Sequence, residues 1–343
     1  MVPQPLARLG PGLGLACGVA VVSTAALLVR WALDAGADPL AVAAARLSLA
    51  ALLIWPICWW TSAPRPVPGG RGAAAESSGK LGSGAAAESS GKLRTGAAPR
   101  RQIALWILIA GASLAVHFAA WISSLHYTSV ASSVALVTTN PIWVALGAWL
   151  VFGNRPGGRV WIAIALSIAG SALISWSDLA AAATAQTLPP ENQPAAAAAP
   201  GAQPLLGNAL ALLGALAMSG YMLAAQAVKR LDDTLGLLRY VAVVYSVAAL
   251  LLSGCAWLAG TAWWELPAPA WPALLLLALG PQLIGHTLIN HALRYLAPTV
   301  VALAILGEPI GAALLAAVLL GEAITPGQLL GFALVVAAVV LAR

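Results

Sequence analysis

The residues best suited to chemistry in this sequence lie inside long apolar runs. Glu308 stands in the middle of the run LAILGEPIGAALL and is followed by Pro309. A low-dielectric environment favours the neutral form of a carboxyl group, which suits Glu308 to carrying a proton, and Pro309 predicts a kinked helix. A protonated Glu308 that only bonds a neighbouring helix is an equally open alternative. Asn140-Pro141 predicts the same kink with a neutral amide.

Three polar side chains recur at helical spacing in the run PQLIGHTLINHALRYL. Gln282, His286 and Asn290 are spaced four residues apart and share one face of a helix. An ionisable group at the centre of a membrane helix costs roughly 2.5–3.5 kcal/mol unless it meets a partner or water. One buried histidine is usually a satisfied core group, but three aligned polar side chains favour a cavity lining. His286 is also a second candidate proton carrier after Glu308.

Other polar or aromatic residues are weaker candidates for the same cavity. His117 and Trp121 are four residues apart, and we favour the cavity for His117 and packing for Trp121. Ser133 and Asn140 share a face, although serine often only bonds its own helix backbone. Tyr221 stands in AMSGYML, where the small neighbours also allow close helix packing.

Three arginines lie within apolar runs. Arg30 has Asp34 one turn later and predicts a surface ion pair. Arg46 and Arg239 each lie a turn or two inside the start of an apolar run, and we predict that both extend to the membrane surface. A contact between Arg46 and an anionic substrate is the less favoured alternative.

The composition defines the elements that must position these residues. Of the 343 residues 61% are hydrophobic and only 8% are charged, against roughly 25% charged in soluble domains. The mean hydropathy is +0.89. A soluble fold is therefore excluded. The net charge of +6 comes from residues between the apolar runs, without the aromatic-interleaved basic patch of a nucleic-acid-binding protein.

Ten apolar runs are long enough for membrane-spanning helices, which need about 20 residues. We call them spans 1 to 10 and expect no cleavable signal peptide, because span 1 continues too far. They cover about 13–33, 40–60, 103–125, 130–152, 159–177, 205–226, 235–258, 271–292, 298–320 and 325–342.

The basic residues predict the orientation, because Lys and Arg are retained on the cytoplasmic side. With both termini inside, every Lys and Arg outside the apolar runs falls in an inner segment and none in an outer loop. The loop at about 62–102 repeats GAAAESSGKL at 72–81 and 84–93, which predicts a disordered cytoplasmic spacer. The Ala/Pro-rich residues 178–204 predict an extracytoplasmic linker.

An internal repeat relates the two halves. A shift of 168 residues superimposes Tyr127 on Tyr295, Asn140-Pro141-Ile142 on Glu308-Pro309-Ile310, and Gly153 on Gly321. We predict a first repeat at 1–177 and a second at 205–343, each with five helices. Because five is odd, the second copy enters the membrane from the opposite side, and a binding site is expected near mid-membrane between the copies.

These residues resemble a known family. The runs at 21–53, 125–155 and 281–325, including LGEP followed by LLGE, are similar to EamA-type proteins of the drug/metabolite transporter superfamily. The resemblance implies an all-α bundle of ten helices in two inverted EamA repeats, in the bacterial inner membrane. It also implies a central cavity lined by Ser23, His117, Asn140, Tyr221, His286 and Glu308.

We therefore hypothesise a secondary transporter that exports a small metabolite, such as an amino acid or related compound, by alternating access. Protons are the favoured coupling ion, because the buried candidates are a carboxyl group and imidazoles. An uncoupled facilitator is the alternative within transport, and an intramembrane enzyme is a weaker one because no catalytic motif is present. No cofactor or metal site is predicted, and Cys17, Cys58 and Cys255 predict no disulfide.

Overall fold

The computed structural model describes residues 10–62, 100–127, 133, 136–137, 139–186, 203–320 and 326–341. These described residues are almost entirely helical and contain no strand. The helices are α1 (Pro11–Val22), α2 (Ala25–Asp34), α3 (Pro39–Ser62), α4 (Arg100–Tyr127), α5 (Asn140–Phe152), α6 (Gly158–Gln186), α7 (Pro204–Leu231), α8 (Leu237–Leu258), α9 (Trp271–Leu277), a π-helical segment (Ala278–His286), α10 (Thr287–Leu293), α11 (Pro298–Ile305), α12 (Glu308–Leu320) and α13 (Pro326–Leu341).

Six helical stretches in the described residues are long and apolar enough to cross a membrane. They are Pro11–Asp34, Pro39–Thr61, Arg100–Tyr127, Leu205–Leu231, Leu237–Leu258 and Ala268–Leu293, and they coincide with spans 1, 2, 3, 6, 7 and 8. Shorter apolar helices fall on the other four spans. The all-helical membrane class is therefore confirmed, whereas the number of ten helices and the inverted repeat stay predictions.

The outer surface of the bundle is apolar. Leu150, Leu250 and Val318 are more than 70% exposed, as lipid-facing side chains would be. Trp59 and Trp60 lie in the last turn of α3 and are 82% and 87% exposed, a position that suits the amphipathic indole ring at the depth of the lipid headgroups.

Local sequence signals set the start of α3. Pro39 occupies the first turn, where a missing backbone donor costs nothing. The carboxylate of Asp38 accepts the backbone N–H groups of Leu40 and Ala41 at 2.9 and 3.1 Å. This capping fixes the beginning of the helix that carries Arg46.

The helices pack in pairs: α4 against α7, α3 against α8, α6 against α13, and α1 against the π-helical segment and α10. Small residues permit the closest approach, because association in lipid depends on van der Waals contact. Gly18 on α1 faces Gly285, and a Cβ added to Gly285 would lie 2.5 Å from Cγ2 of Val22.

We expect Gly285→Ala to lower the thermal stability of the purified protein, because the new methyl group pushes α1 away from the π-helical segment. Overpacking of this kind typically costs about 1–3 kcal/mol. Gly280→Ala is the matched control, since its added Cβ would lie 3.9 Å from Val21, an ordinary contact. Equal melting temperatures for the two variants would contradict the tight packing at Gly285.

Two spans are interrupted rather than continuous. Ser23 and Thr24 separate α1 from α2, and Leu306 and Gly307 separate α11 from α12. The predicted kink at Pro309 is therefore corrected to a break, and at Pro141 the structure describes the start of a helix. Each proline is the second residue of a new helix, where its lack of a backbone donor is tolerated.

The π-helical segment interrupts a third span. It covers Ala278–His286, contains Pro281 and connects α9 to α10. Proline breaks the regular α-helical hydrogen-bond ladder, and π-helical turns occur frequently at functional sites.

The linker prediction needs one correction. Helix α6 continues to Gln186, so the first residues of the predicted 178–204 linker are helical. Alanine has the highest helix propensity, and the run AAAA at 180–183 extends the helix. The duplicated loop at 72–93 lies outside the described residues.

Candidate functional site

The interrupted helices meet around a central cavity of about 50 Å³. Val22 and Ala25 from the first interruption line it, together with Ile305 from the end of α11. Its polar or aromatic wall is formed by Arg46, His117, Phe118, Trp121, Asn140, His286 and Glu308. Irregular backbone inside a membrane is tolerated where it lines a cavity, so the helix breaks are found where the cavity lies.

The volume of the central cavity shows what it can hold in this structure. One water needs about 10–15 Å³ on this scale, whereas small-molecule sites usually measure 300–1,000 Å³. The central cavity therefore has room for a few water molecules and is smaller than a typical metabolite site.

Arg46 is the main residue that the sequence prediction placed wrongly. Its side chain is fully buried, with 0% exposure, and does not extend to the membrane surface. Nε donates to Oε1 of Gln282 at 2.8 Å, and the guanidinium carbon lies 4.1 Å from the centre of the Phe118 ring. Nη1 and Nη2 have no hydrogen-bond partner among the described residues.

The packing of α3 explains this correction. The helix lies against α4, α8 and the π-helical segment, so a side chain in its middle is enclosed by protein rather than by lipid. Gln282 then supplies an acceptor and Phe118 an aromatic face, which partly compensate the buried cation.

The two histidines of the cavity have different environments. Nδ1 of His117 lies 2.9 Å from the carbonyl oxygen of Gly214, and because a carbonyl only accepts, this nitrogen carries the hydrogen. Trp121 stacks on His117 with ring centres 6.2 Å apart. His286 meets the Phe118 ring edge to face, and its Nδ1 has no partner in the described part of the chain.

Glu308 is half-buried and begins α12. A carboxyl group in the first turn suits the partial positive charge at the helix N-terminus. Glu308 shares the cavity with Arg46 yet forms no ion pair with it, since Arg30–Asp34 at 2.9 Å is the one salt bridge among the described residues. That pair also confirms the predicted role of Arg30.

Asn140 begins α5 beside the same cavity. Its side chain is 3% exposed, and Oδ1 has no partner within the described ranges. Its carbonyl oxygen accepts a hydrogen bond from Ser219 on α7 at 3.1 Å. The Asn140-Pro141 and Glu308-Pro309 pairs therefore occupy the same position, at the start of a helix and on the cavity wall.

Several predicted cavity residues lie elsewhere. Ser23 bonds the carbonyl oxygen of Val19 at 2.9 Å, and Ser133 bonds Ser124 at 2.6 Å. Tyr221 is fully buried and lies outside the cavity wall. Gln282 does not line the cavity, and its side chain accepts a hydrogen bond from Arg46.

Asn290, the last residue of the predicted polar stripe, lines a second pocket of about 30 Å³ at the end of the bundle. Lys229 donates to the carbonyl oxygen of Arg294, and Arg294 donates to the carbonyl oxygens of Asp233 and Leu235. These bonds tie the end of α7 and the following turn to the end of α10.

Asp232 also lines this end pocket. The side chain and backbone of Thr234 donate to its carboxylate at 2.6 and 2.9 Å. These hydrogen bonds lower the pKa of Asp232 and keep it ionised beside Lys229 and Arg294.

Comparison with known proteins supports the membrane architecture. The model of the EamA-like transporter family matches residues 10–176 and 205–343. Similar curated proteins from Salmonella paratyphi B, Salmonella newport and Salmonella typhimurium are described as probable 4-amino-4-deoxy-L-arabinose-phosphoundecaprenol flippase subunit ArnE. Each is 28% identical over 71 residues, which is 21% of this chain and 64% of the relative's length.

A solved crystal structure of another protein has the same arrangement of helices. It superposes with a TM-score of 0.65 and 16% sequence identity, over 98% of each chain. At this identity the likeness concerns the fold alone.

Proposed function

Because the chain belongs to the EamA-like transporter family, we propose that it is a secondary transporter that exports a small metabolite from bacteria. The chain is a multi-pass membrane transporter, and its family and its flippase relatives support this broad function. The proposed site is the central cavity, and alternating access to its two sides is the proposed mechanism.

The observation that carries the proposal is the convergence of polar side chains and helix breaks in an apolar bundle. Asn140 and Glu308 each begin a helix at the cavity, and His286 ends the π-helical segment there. Discontinuous helices around a mid-membrane polar site are typical of secondary transporters. Amino acids and related compounds are the proposed substrates.

The inverted repeat is part of the proposal. The matching positions of Asn140-Pro141 and Glu308-Pro309 support a duplicated architecture. His126 and Tyr295 are both exposed and lie at the ends of segments that inversion would put on opposite sides of the membrane.

We expect single cysteines at these two positions to react with a membrane-impermeant maleimide from opposite faces of the cell membrane. The background protein would have Cys17, Cys58 and Cys255 replaced by alanine. Labelling of His126→Cys from outside and Tyr295→Cys only in permeabilised cells is the expected result. Labelling of both positions from one side would refute the inversion.

A specific observation favours a second candidate, the transfer of a lipid-linked substrate. The curated relatives are described as subunits of a flippase for a phosphoundecaprenol-linked aminosugar. The matched part is short, so this is the subordinate proposal.

Flux through reconstituted protein tests the function. Purified protein in liposomes is expected to exchange a radiolabelled amino acid for unlabelled substrate inside, and an imposed pH gradient is expected to drive net movement. Exchange without any response to the gradient would favour an uncoupled facilitator. No exchange across a metabolite panel, with lipid-linked substrate transferred instead, would favour the flippase.

A further inference from the structure

We propose that Arg46 forms a binding subsite for an oxyanion, the carboxylate or phosphate group of the transported molecule. This inference deepens the proposed function and rests on it. It assigns to the central cavity a chemical class of substrate, one with a negatively charged, hydrogen-bond-accepting group.

The first argument concerns charge. Arginine stays protonated in proteins, and a buried cation is expensive unless it is paired and hydrogen-bonded. Arg46 has one hydrogen bond, to neutral Gln282, and one aromatic contact, to Phe118. Glu308 shares the cavity but is not within ion-pair distance. The guanidinium group therefore has no carboxylate in ion-pair contact among the described residues, and the Glu308 carboxyl group acts on it only across the cavity.

The second argument concerns hydrogen-bonding capacity. Three buried nitrogens of cavity residues that can only donate have no partner among the described residues: Nη1 and Nη2 of Arg46 and Nε1 of Trp121. Oδ1 of Asn140 is the unpartnered buried atom of the wall that can only accept. A site with an excess of donors matches an acceptor group, and oxyanions are the strongest acceptors among metabolites.

The third argument concerns geometry. Gln282 binds Arg46 through Nε, which leaves the two terminal nitrogens for a bidentate contact with a planar carboxylate or a phosphate. Tyr245 donates to the carbonyl oxygen of Gln282 at 3.1 Å and holds the backbone of that residue in place. Gln282 is thus a positioning residue for the guanidinium group, and the site is organised before an anion arrives.

The oxyanion has two potential sources, a soluble metabolite or a lipid headgroup. Both present the same chemistry to Arg46, so the structure assigns the group rather than the rest of the molecule. A bilayer with a defined lipid composition separates the two sources.

Binding of minimal anions tests the subsite directly. The purified wild-type protein in neutral detergent is titrated with acetate, inorganic phosphate and acetamide, and its thermal unfolding is followed. We expect acetate or phosphate to raise the melting temperature, whereas acetamide, which has nearly the shape of acetate without its charge, has no effect.

The variants assign the effect to one residue. Arg46→Gln is expected to weaken anion binding roughly tenfold or more, because a charge-assisted contact is lost. Arg46→Lys keeps the positive charge but loses the planar guanidinium group that allows a bidentate contact, so it should show an intermediate response. Arg239→Gln is the matched control, since Arg239 lies at the exposed start of α8 and should bind anions as wild type does.

A separate experiment tests a lipid headgroup as the source of the oxyanion. Wild-type and Arg46→Gln proteins are compared in phosphatidylcholine nanodiscs with and without phosphatidic acid. A stabilisation by phosphatidic acid that depends on Arg46, without a response to acetate or phosphate, assigns the site to a lipid headgroup. The reverse pattern assigns it to a soluble substrate.

Two outcomes would overturn the inference. One is a wild-type protein that responds to none of acetate, inorganic phosphate and phosphatidic acid, a test that requires no variant to fold. The other is an anion response of equal size in Arg46→Gln. Exchange of a neutral metabolite without any anion response would refute the subsite and leave the transporter function intact. Anion binding without flux of any substrate would support the subsite and contradict the transporter function.

Discussion

Replacing Glu308 by glutamine is expected to abolish the dependence of transport on a pH gradient, while the protein still inserts and still exchanges substrate. Glutamine preserves the size of the side chain and its hydrogen-bonding groups, but it cannot take up or release a proton. The ionisable groups that share the cavity with Glu308 are Arg46, His117 and His286. Among the described residues Glu308 is the one carboxyl group on that wall, so its loss removes the main candidate for proton transfer.

The measurement is substrate movement in liposomes with and without an imposed pH gradient, together with exchange at equal pH. Glu265→Gln is the matched control, because Glu265 lies exposed in the described segment between α8 and α9. Proton-driven flux that is unchanged in the Glu308 variant would remove this residue from coupling. His286→Gln would then be the next variant to measure.

Ala25→Leu is expected to stop transport by filling the central cavity. Ala25 is 1% exposed, lines the cavity and stands directly after the break between α1 and α2. Three added carbon atoms leave little of a space of about 50 Å³. Overpacking typically costs about 1–3 kcal/mol, and we expect the variant to fold and to lose flux.

The readouts are exchange in liposomes and the acetate-induced shift in melting temperature, and both should disappear together. Ala26→Leu is the control, since the neighbouring side chain is half-buried and does not line the cavity. Normal exchange in Ala25→Leu would show that the substrate does not pass through this cavity.

The membrane-spanning elements were predictable because lipid imposes a strict rule. Every backbone polar group must be satisfied within the segment, so a run of about 20 apolar residues carries its own structure. The run 235–258 was predicted as one span and is found as α8, Leu237–Leu258. Its bounds depend on composition alone and not on partners elsewhere in the chain.

Arg46 was not predictable in the same way. Its position within an apolar run was visible, but an arginine near a helix end can extend to the membrane surface or turn into the bundle. The choice depends on Gln282, which is 236 residues away in the chain and supplies the acceptor. Such a partner is defined by helix packing, which the pattern of a single run does not contain.

The polar stripe was predicted for an ideal α-helix, and the structure distributes its members differently. Gln282 bonds Arg46, His286 lines the central cavity, and Asn290 lines the end pocket. The π-helical segment contains Gln282 and His286, and its wider turn departs from the α-helical spacing that the prediction assumed. Pro281 was the signal in the sequence that the regular ladder is disturbed.

The breaks in the spans show a related limit. Pro309 follows the break at Leu306 and Gly307, although this proline lies in the first turn of a helix instead of bending one. The break at Ser23 and Thr24 has no proline or glycine and left no signal in the sequence. Ser23 packs against Gly311 of α12 at this break, a contact between distant parts of the chain that the local sequence does not contain.

The π-helical segment has a mechanical consequence for the span that contains it. A wide turn stores one residue more than an α-helical turn, and migration of that surplus residue along the axis leaves both ends of the span where they are. When the wide turn moves past a residue, the side chain of that residue rotates about the helix axis by about 100° and shifts along it by about 1.5 Å. These values are the step of one residue in an α-helix. A span of this kind can rotate the Gln282 amide out of reach of the guanidinium group while Trp271 and Leu293 stay anchored, so the two ends of the span need not slide for its middle to change partners.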